Sequence, residues 1–160
     1  MDLLDENARQ KEVFPVGRLD IDTHGLLLLT NNGALAHAML SPKKHVAKVY
    51  RAKVDGIITE KDVEHFEAGI ELKGFTCQPA KLTILEVNEE QQTSLVEIII
   101  SEGKFHQIKK MFLTVGVKVT SLKRTHFGDF ELEPNLAAGE YRVLNQAELE
   151  IVRHYLEKSY

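Results

Sequence analysis

The sequence GRLDIDTHGLLLLTN occupies residues 17–31 and joins a charged, glycine-flanked segment to a short apolar run. The apolar run, Leu26 to Thr30, precedes an Asn-Asn-Gly turn, which predicts a buried strand leading into a helix from about Ala34 to Leu40. The segment before it, residues 17–25, carries more charge and hydroxyl groups than a simple turn needs. We therefore take it as the first candidate for a functional loop.

Periodic patterns on the C-terminal side of this stretch indicate strands and helices in mixed order. In Ala47–Asp55 apolar and charged side chains alternate, which predicts a half-buried strand with Tyr50 on its inner face. Other segments predict strands at Ala80–Val87, Ser94–Ser101 and Val117–His126, and helices at Thr59–Gly69, at Phe105–Val115 and from Asn145. Because hairpins and helices interleave without regular βαβ alternation, we expect an α+β domain with a mixed, mostly antiparallel sheet.

Composition limits the class of protein. The chain has 160 residues, 43% of them hydrophobic, which suits one compact domain. Its one cysteine, Cys77, excludes an internal disulfide and fits a reducing cytoplasm. No segment approaches the roughly 18 apolar residues that a membrane span requires, and Met1–Glu12 lacks the pattern of a secretory signal. We expect a cytoplasmic protein with no membrane partner.

The net charge of −4 argues against nucleic-acid binding over the whole surface, because phosphate contacts need many lysines and arginines. Basic residues are nevertheless concentrated late in the chain, at Lys104, Lys109, Lys110, Lys118, Lys123 and Arg124. We expect this local basic stretch to line a nucleic-acid cleft. The alternative is an ordinary solvated helix face followed by a strand.

Two segments are candidates for chemistry, and each has a structural alternative. In residues 17–25, Asp20 or Asp22 could cap backbone N–H groups and pair with Arg18, or the two aspartates and His24 could bind a metal. The sequence EGKFHQIKKMF, residues 102–112, places basic and amide side chains at the start of an amphipathic helix. Such a helix start attracts phosphate, but it is also typical of a surface helix with a basic face.

Taken together, these motifs resemble those of pseudouridine synthases. The matching segments are GRLD with Thr23, Gly25 and LLLLTN, then Lys48-Val49-Tyr50, then GKFHQIKKM at residues 103–111, and finally GEYRVL at residues 139–144. The nearest resemblance is to the ribosomal small-subunit pseudouridine synthase A family, from about Val16 to Leu149. It implies a mixed, mostly antiparallel sheet with flanking helices and a central RNA cleft.

The resemblance also implies roles for individual residues. Asp20 matches the catalytic aspartate, Tyr50 the active-site tyrosine, and Lys109 the basic residue that pairs with the aspartate. Arg18 matches the residue that helps displace the target nucleotide from its stack, while His106 and Gln107 match motif residues to which no separate role is assigned. With Lys104, Lys110, Lys123 and Arg124 from the basic stretch, these form the predicted RNA-binding set. The isomerisation needs no cofactor, and we expect no metal.

The expected substrate is a uridine in ribosomal RNA or in a ribosomal subunit precursor, with small-subunit RNA favoured over large-subunit RNA by Lys104-Phe105-His106-Gln107. Two other classes stay open: a non-catalytic RNA-binding or ribosome-assembly module of the same fold, and a small hydrolase or metal enzyme. We expect a monomer with a lead-in at residues 1–15 and a catalytic domain at residues 16–160. The family commonly begins with an S4-like RNA-binding domain, and residues before Val16 could not form one, so we expect weak RNA affinity.

Overall fold

A computed structural model describes residues 12–17, 19, 23–41, 46–101 and 106–158. Ten strands and four helices occur in these ranges. The strands are β1 (Phe14–Pro15), β2 (His24–Gly25), β3 (Leu29–Thr30), β4 (Lys48–Asp55), β5 (Glu71–Leu72), β6 (Phe75–Thr76), β7 (Lys81–Asn88), β8 (Thr93–Ile100), β9 (Lys118–Phe127) and β10 (Phe130–Glu131). The helices are α1 (Gly33–Leu40), α2 (Glu60–Ala68), α3 (Gln107–Thr114) and α4 (Gln146–Lys158).

The main sheet has six strands, with β10-β9-β4-β8-β7 in order and β2 added beside β9. Only the β2–β9 pair is parallel, and the other pairs in this sheet are antiparallel. Together with the four helices, this is the α+β architecture with a mixed, mostly antiparallel sheet that the sequence predicts. The prediction of fold class is confirmed.

Two hydrophobic clusters pack against the main sheet. The larger one lies under α2 and α3, where the rings of Phe66 and Phe112 meet with centroids 5.0 Å apart. The smaller one contains α1, Val16, Leu28 and Phe127, with side chains of α4 against it. Along β9, therefore, Leu122 belongs to the first cluster and Phe127 to the second.

Local signals explain where α2 and α4 begin. The Thr59 backbone N–H donates to Asp62 Oδ2 at 2.9 Å, which forms half of the capping box expected at α2. At α4, the backbone N–H of Glu148 donates to Asn145 Oδ1 at 2.9 Å and the N–H of Asn145 donates to Glu148 Oε1 at 2.8 Å. Both helices begin within one residue of the position that the sequence predicts.

The prediction of one buried strand from Leu26 to Thr30 is wrong in detail. The run is divided between two neighbours, because Leu26 N–H donates to the Arg124 carbonyl at 2.8 Å and the Leu28 carbonyl accepts from Val16 N–H at 2.8 Å. Leu27, between them, is 38% exposed. The apolar run thus connects the main sheet to the small β1–β3 pair and does not form one continuous strand.

Within the described ranges, no helix is both long and apolar enough to cross a membrane.

Candidate active site

Tyr50 lies on the face of β4 that points into the protein. Its neighbours two and four residues along, Ala52 and Val54, are fully buried, while Arg51 and Lys53 between them are exposed. The tyrosine ring is partly buried and packs at the edge of the larger hydrophobic cluster. The period-two pattern of the sequence therefore predicted the face of Tyr50 correctly.

A bulge in β9 brings a second polar residue to this face. Tyr50 pairs with Arg124 and Val49 pairs with His126, so Thr125 is the extra residue between two strand pairs. Its hydroxyl donates to the Val49 carbonyl at 3.3 Å. In a regular strand, Arg124 and Phe127 would point to opposite faces, but the extra residue lets both point inward.

Arg124 is buried, with only 2% of its surface exposed. Its Nε donates to the Leu26 carbonyl at 2.9 Å, and its guanidinium interacts electrostatically with the hydroxyl of Tyr50, its cross-strand partner on β4. The guanidinium carbon lies 4.8 Å from the centre of the Phe127 ring, a cation–π distance. Burial lowers the pKa of Arg124, and the charge and hydrogen bond of Tyr50 oppose that shift.

Lys48 adds another positive charge beside Arg124. It lies two residues before Tyr50 on the same face of β4, and its Nζ is 5.4 Å from the centre of the Phe127 ring. Burial, and then the charge of Arg124, lower its pKa. We call Lys48, Tyr50 and Arg124 the basic seam, because they lie between the two hydrophobic clusters. From the sequence alone, Lys48 is named only as part of a motif and has no assigned role. Its position two residues before Tyr50 in a predicted strand could have shown that both side chains lie on the same face.

The end of the Asp20-bearing segment is attached to the same point of β9. Gly25 pairs with Arg124 at a backbone φ of +117°, and a Cβ on Gly25 would lie 2.2 Å from the Arg124 carbonyl oxygen. Glycine is therefore required for this close approach. Within the described ranges, the Thr23 hydroxyl and Arg124 Nη2 are both buried polar atoms without a hydrogen-bond partner. Asp20, Asp22 and Arg18 lie outside the described residues.

Helix α3 carries the other predicted site residues, and their exposure differs. Gln107 is buried and its Nε2 lies 3.7 Å from Met111 Sδ, while His106 precedes the helix in a left-handed conformation at φ +51°. Lys109 is half-buried and Lys110 is exposed. These two lysines thus occupy different environments, as expected for residues about 100° apart on a helix.

The basic stretch does not form one surface. Lys123 is exposed and alternates with the buried Leu122 and Arg124, so it projects from the opposite face of the sheet. Arg124 was expected to contact RNA from the stretch, but its guanidinium is enclosed between Tyr50, Leu26 and Phe127. Arg124 is enclosed because the alternation of β9 turns its side chain inward, and the bulge at Thr125 places Phe127 on the same side. Lys104 lies outside the described residues.

This arrangement can serve chemistry on a flat, polar ligand. Tyr50 supplies an aromatic ring and a hydroxyl, and Lys48 and Arg124 supply positive charge in a low-dielectric setting. In the described part of the chain, no group of three histidine, cysteine or carboxylate side chains is placed to hold a metal ion. The metal alternative at Asp20, Asp22 and His24 depends on residues outside that part.

Comparison with known proteins gives concordant results. The family model described as RNA pseudouridylate synthase matches residues 1–114. The chain is 44% identical to the uncharacterized RNA pseudouridine synthase YtzG of Bacillus subtilis, over 95% of this chain and 63% of the relative. It is 38% identical to the ribosomal large subunit pseudouridine synthase B of the same organism, over 89% of this chain and 58% of the relative.

A third relative is the ribosomal small subunit pseudouridine synthase A of Vibrio parahaemolyticus, which is 42% identical over 94% of this chain and 63% of the relative. A solved crystal structure of a pseudouridylate synthase is 38% identical and superimposes with a TM-score of 0.86, over 94% of this chain and 64% of that chain. The chain thus spans about three fifths of the length of the curated relatives it matches. The predicted pseudouridine synthase fold is confirmed, and the chain belongs to the RNA pseudouridylate synthase family.

Proposed function

We propose that this chain isomerises a uridine in ribosomal RNA to pseudouridine, acting on small-subunit RNA in the cytoplasm. The observation that carries the proposal is the family match over residues 1–114, a range that contains Asp20, Tyr50 and Lys109 together. The relatives that are named for ribosomal RNA subunits support the substrate class. A purely RNA-binding module would not require that set of three residues.

The reaction breaks the bond between N1 of uracil and the ribose, turns the base, and joins C5 to the same sugar carbon, while N1 gains a proton and C5 releases its own to the solvent. No electrons are gained or lost overall. A carboxylate suits this task because it can stabilise a cation-like sugar, attack it, or take a proton from the 2′ carbon. We assign that role to Asp20. Lys109 would keep the carboxylate ionised, because an opposite charge within about 4–6 Å favours the charged form.

The basic seam provides the place for the base. The Tyr50 ring borders the larger hydrophobic cluster, so a flipped uracil could stack on it while the hydroxyl assists proton movement. Flipping a base costs roughly a few kcal/mol, which Arg18 would offset by filling the vacated stack. Lys48 and Arg124 make the surroundings favourable for a nucleotide, whose phosphate is negatively charged.

A second substrate is favoured by a specific observation. The large subunit pseudouridine synthase B of Bacillus subtilis is 38% identical to this chain, which makes large-subunit RNA the alternative target. Mapping pseudouridines in ribosomal RNA from a strain that lacks the gene distinguishes the two. Loss of one site from small-subunit RNA supports our choice, and loss from large-subunit RNA replaces it.

The direct test exchanges one atom of the candidate catalytic residue. Asp20→Asn keeps nearly the same shape and removes the negative charge, so it should abolish tritium release from C5-labelled uridine in ribosomal RNA. RNA binding and thermal unfolding should stay close to those of the unsubstituted chain.

Asp22→Asn is the matched control, because it makes the same exchange two residues away, at a position that matches no catalytic residue in the motif. It should retain most of the activity. Comparable turnover by Asp20→Asn, or inactivity confined to Asp22→Asn, would refute the assignment.

A further inference from the structure

Arg124 is held in place by both its backbone and its side chain. Its backbone carbonyl accepts from Leu26 N–H at 2.8 Å, and its Nε donates to the Leu26 carbonyl at 2.9 Å. Tyr50 is its cross-strand partner on β4, and its guanidinium interacts with the Tyr50 hydroxyl and lies over the Phe127 ring. One residue of β9 therefore links β4, the chain just after β2, and the smaller hydrophobic cluster.

Burying this guanidinium costs free energy of folding. A buried charge is costly unless an opposite charge and hydrogen bonds compensate it, and apolar residues of similar volume are often as stable or more so. The groups that contact Arg124 within the described ranges are a carbonyl, a phenol and an aromatic ring. Lys48 nearby adds a like charge and deepens the cost. Among the described residues, hydrogen bonding and the ring therefore compensate this charge, and no opposite charge does.

The position of Tyr50 suggests what the arginine does. The ring is only partly buried and lies opposite Arg124 in the strand pairing, so an interaction of the guanidinium with the hydroxyl would restrict the direction of the ring. The other end of the guanidinium is fixed on the Leu26 carbonyl. Because guanidinium is planar and rigid, fixing one edge also fixes where the other edge meets the phenol.

We propose that Arg124 is a positioning residue: it orients Tyr50 relative to the segment that ends at Gly25 and so aligns the tyrosine with the reacting nucleotide. The proposal rests on the proposed function, because it assigns Arg124 a part in the same reaction. Arg124 acts through Tyr50 and the backbone of Leu26. Misplacing a catalytic group by about 1 Å can cost on the order of 100-fold in rate, so such a role is measurable.

The first experiment observes the contact without any reaction. The chain has four tyrosines, so labelling with ¹³Cζ-tyrosine gives few NMR signals, and Tyr50→Phe identifies the signal of Tyr50. Arg124→Met should shift that signal because the guanidinium beside the phenol is lost. Arg51→Met is the matched control, because this exposed arginine adjoins Tyr50 but lies on the other face of β4. It should leave the Tyr50 signal in place.

The second experiment measures turnover with the same variants. Arg124→Met should lower kcat by roughly 10- to 100-fold and change KM by less than about threefold, because positioning affects the reacting complex more than its formation. Arg51→Met should leave both constants unchanged. Arg124→Lys should recover part of kcat, since an ammonium keeps the charge but cannot reproduce the planar fork.

The outcomes separate the two proposals. An unmoved Tyr50 signal in Arg124→Met, or a rise in KM with kcat unchanged, refutes the positioning role. A chain that modifies no ribosomal RNA refutes the proposed function, and the NMR experiment still reports on the contact. If Arg124→Met does not fold, Arg124→Lys carries the same test: an unmoved Tyr50 signal together with full kcat would overturn the proposal.

Discussion

Two arginines in this protein illustrate different uses of the same side chain. Arg142, in the segment before α4, has a side chain that is 31% exposed and lies between two carboxylates. Its Nη1 and Nη2 each meet an oxygen of Glu148 at 2.7 Å, and its Nε meets Glu133 at 2.5 Å. Arg124 is buried, and the groups that contact it among the described residues are the Leu26 carbonyl, the Tyr50 hydroxyl and the Phe127 ring. The first arginine anchors a helix by ion pairs, whereas the second connects strands by contacts with neutral groups.

The pKa shifts of the charged groups also differ between the two regions. Hydrogen bonding to Arg142 lowers the pKa of Glu148, and that bond to Glu148 raises the pKa of Arg142, as expected for a mutually stabilising pair. In the basic seam, burial lowers the pKa of both Lys48 and Arg124. Charge in the first region is satisfied within the protein. Charge in the second is buried, and among the described residues it has no opposite charge beside it.

Of the effects that test this comparison, the largest should be a loss of activity at the two adjacent lysines of α3, one half-buried and one exposed. Lys109→Met should lower kcat by roughly 100-fold, because the half-buried lysine is assigned to keep Asp20 ionised. Lys110→Met, the adjacent exposed position, should cause a much smaller loss. Single-turnover tritium release measures both. Equal losses would show that the two lysines act only through general charge, and the assignment of Lys109 would fail.

A smaller effect should separate the two arginines by stability. Arg142→Met should lower the free energy of unfolding by about 1 kcal/mol, since it leaves Glu133 and Glu148 without their shared cation at a partly solvated site. Arg124→Met should cost less, because removing a buried charge offsets the lost hydrogen bonds. Urea unfolding of both variants checks this order. A reversed order would make Arg124 a structural residue and would remove the contrast.

The smallest effect should be on RNA affinity, at the exposed lysines Lys110 and Lys123, which lie outside both regions. If RNA lies on the inner side of the sheet, Lys110→Glu should weaken binding to ribosomal RNA by about threefold and reduce its salt dependence. Lys123→Glu should weaken it less, because Lys123 projects from the opposite face. Filter binding at several salt concentrations measures the difference. A larger effect at Lys123 would place the RNA on the outer face, and no effect at either position would contradict the basic stretch as an RNA-binding feature.

Much of the fold could be predicted because local signals agree with tertiary packing. The alternation in β4 placed Tyr50 on the inner face, and the capping box at Thr59 located the start of α2. The β5–β6 hairpin was missed, although Lys73-Gly74 between its strands is a recognisable turn signal and Gly74 has a φ of +94°. Short strands such as these carry too few residues for a period to show.

The candidate site was less predictable because its geometry depends on neighbours that are distant in sequence. Motif resemblance identified Tyr50 and Lys109, but nothing local to Arg124 indicates that it meets Leu26, 98 residues earlier. The count of charged residues predicted that Arg124 shares a surface with Lys123. Adjacent residues of a strand point to opposite faces, so the two cannot share one. Assigning Arg124 required the strand register.

The bulge at Thr125 has a counterpart at Thr120, where a second register shift occurs and the threonine hydroxyl donates to the Lys53 carbonyl at 3.1 Å. Each bulge reverses the phase of the side-chain alternation along β9, so the middle segment has the opposite phase to the first and the last. The middle segment carries Arg124, and the last carries Phe127. Deleting one residue of β9 outside the bulges would therefore turn the residues beyond it to the other face, whereas deleting Thr120 or Thr125 would leave the same residues pointing inward. We expect β9 to accept a change of length only at these two threonines.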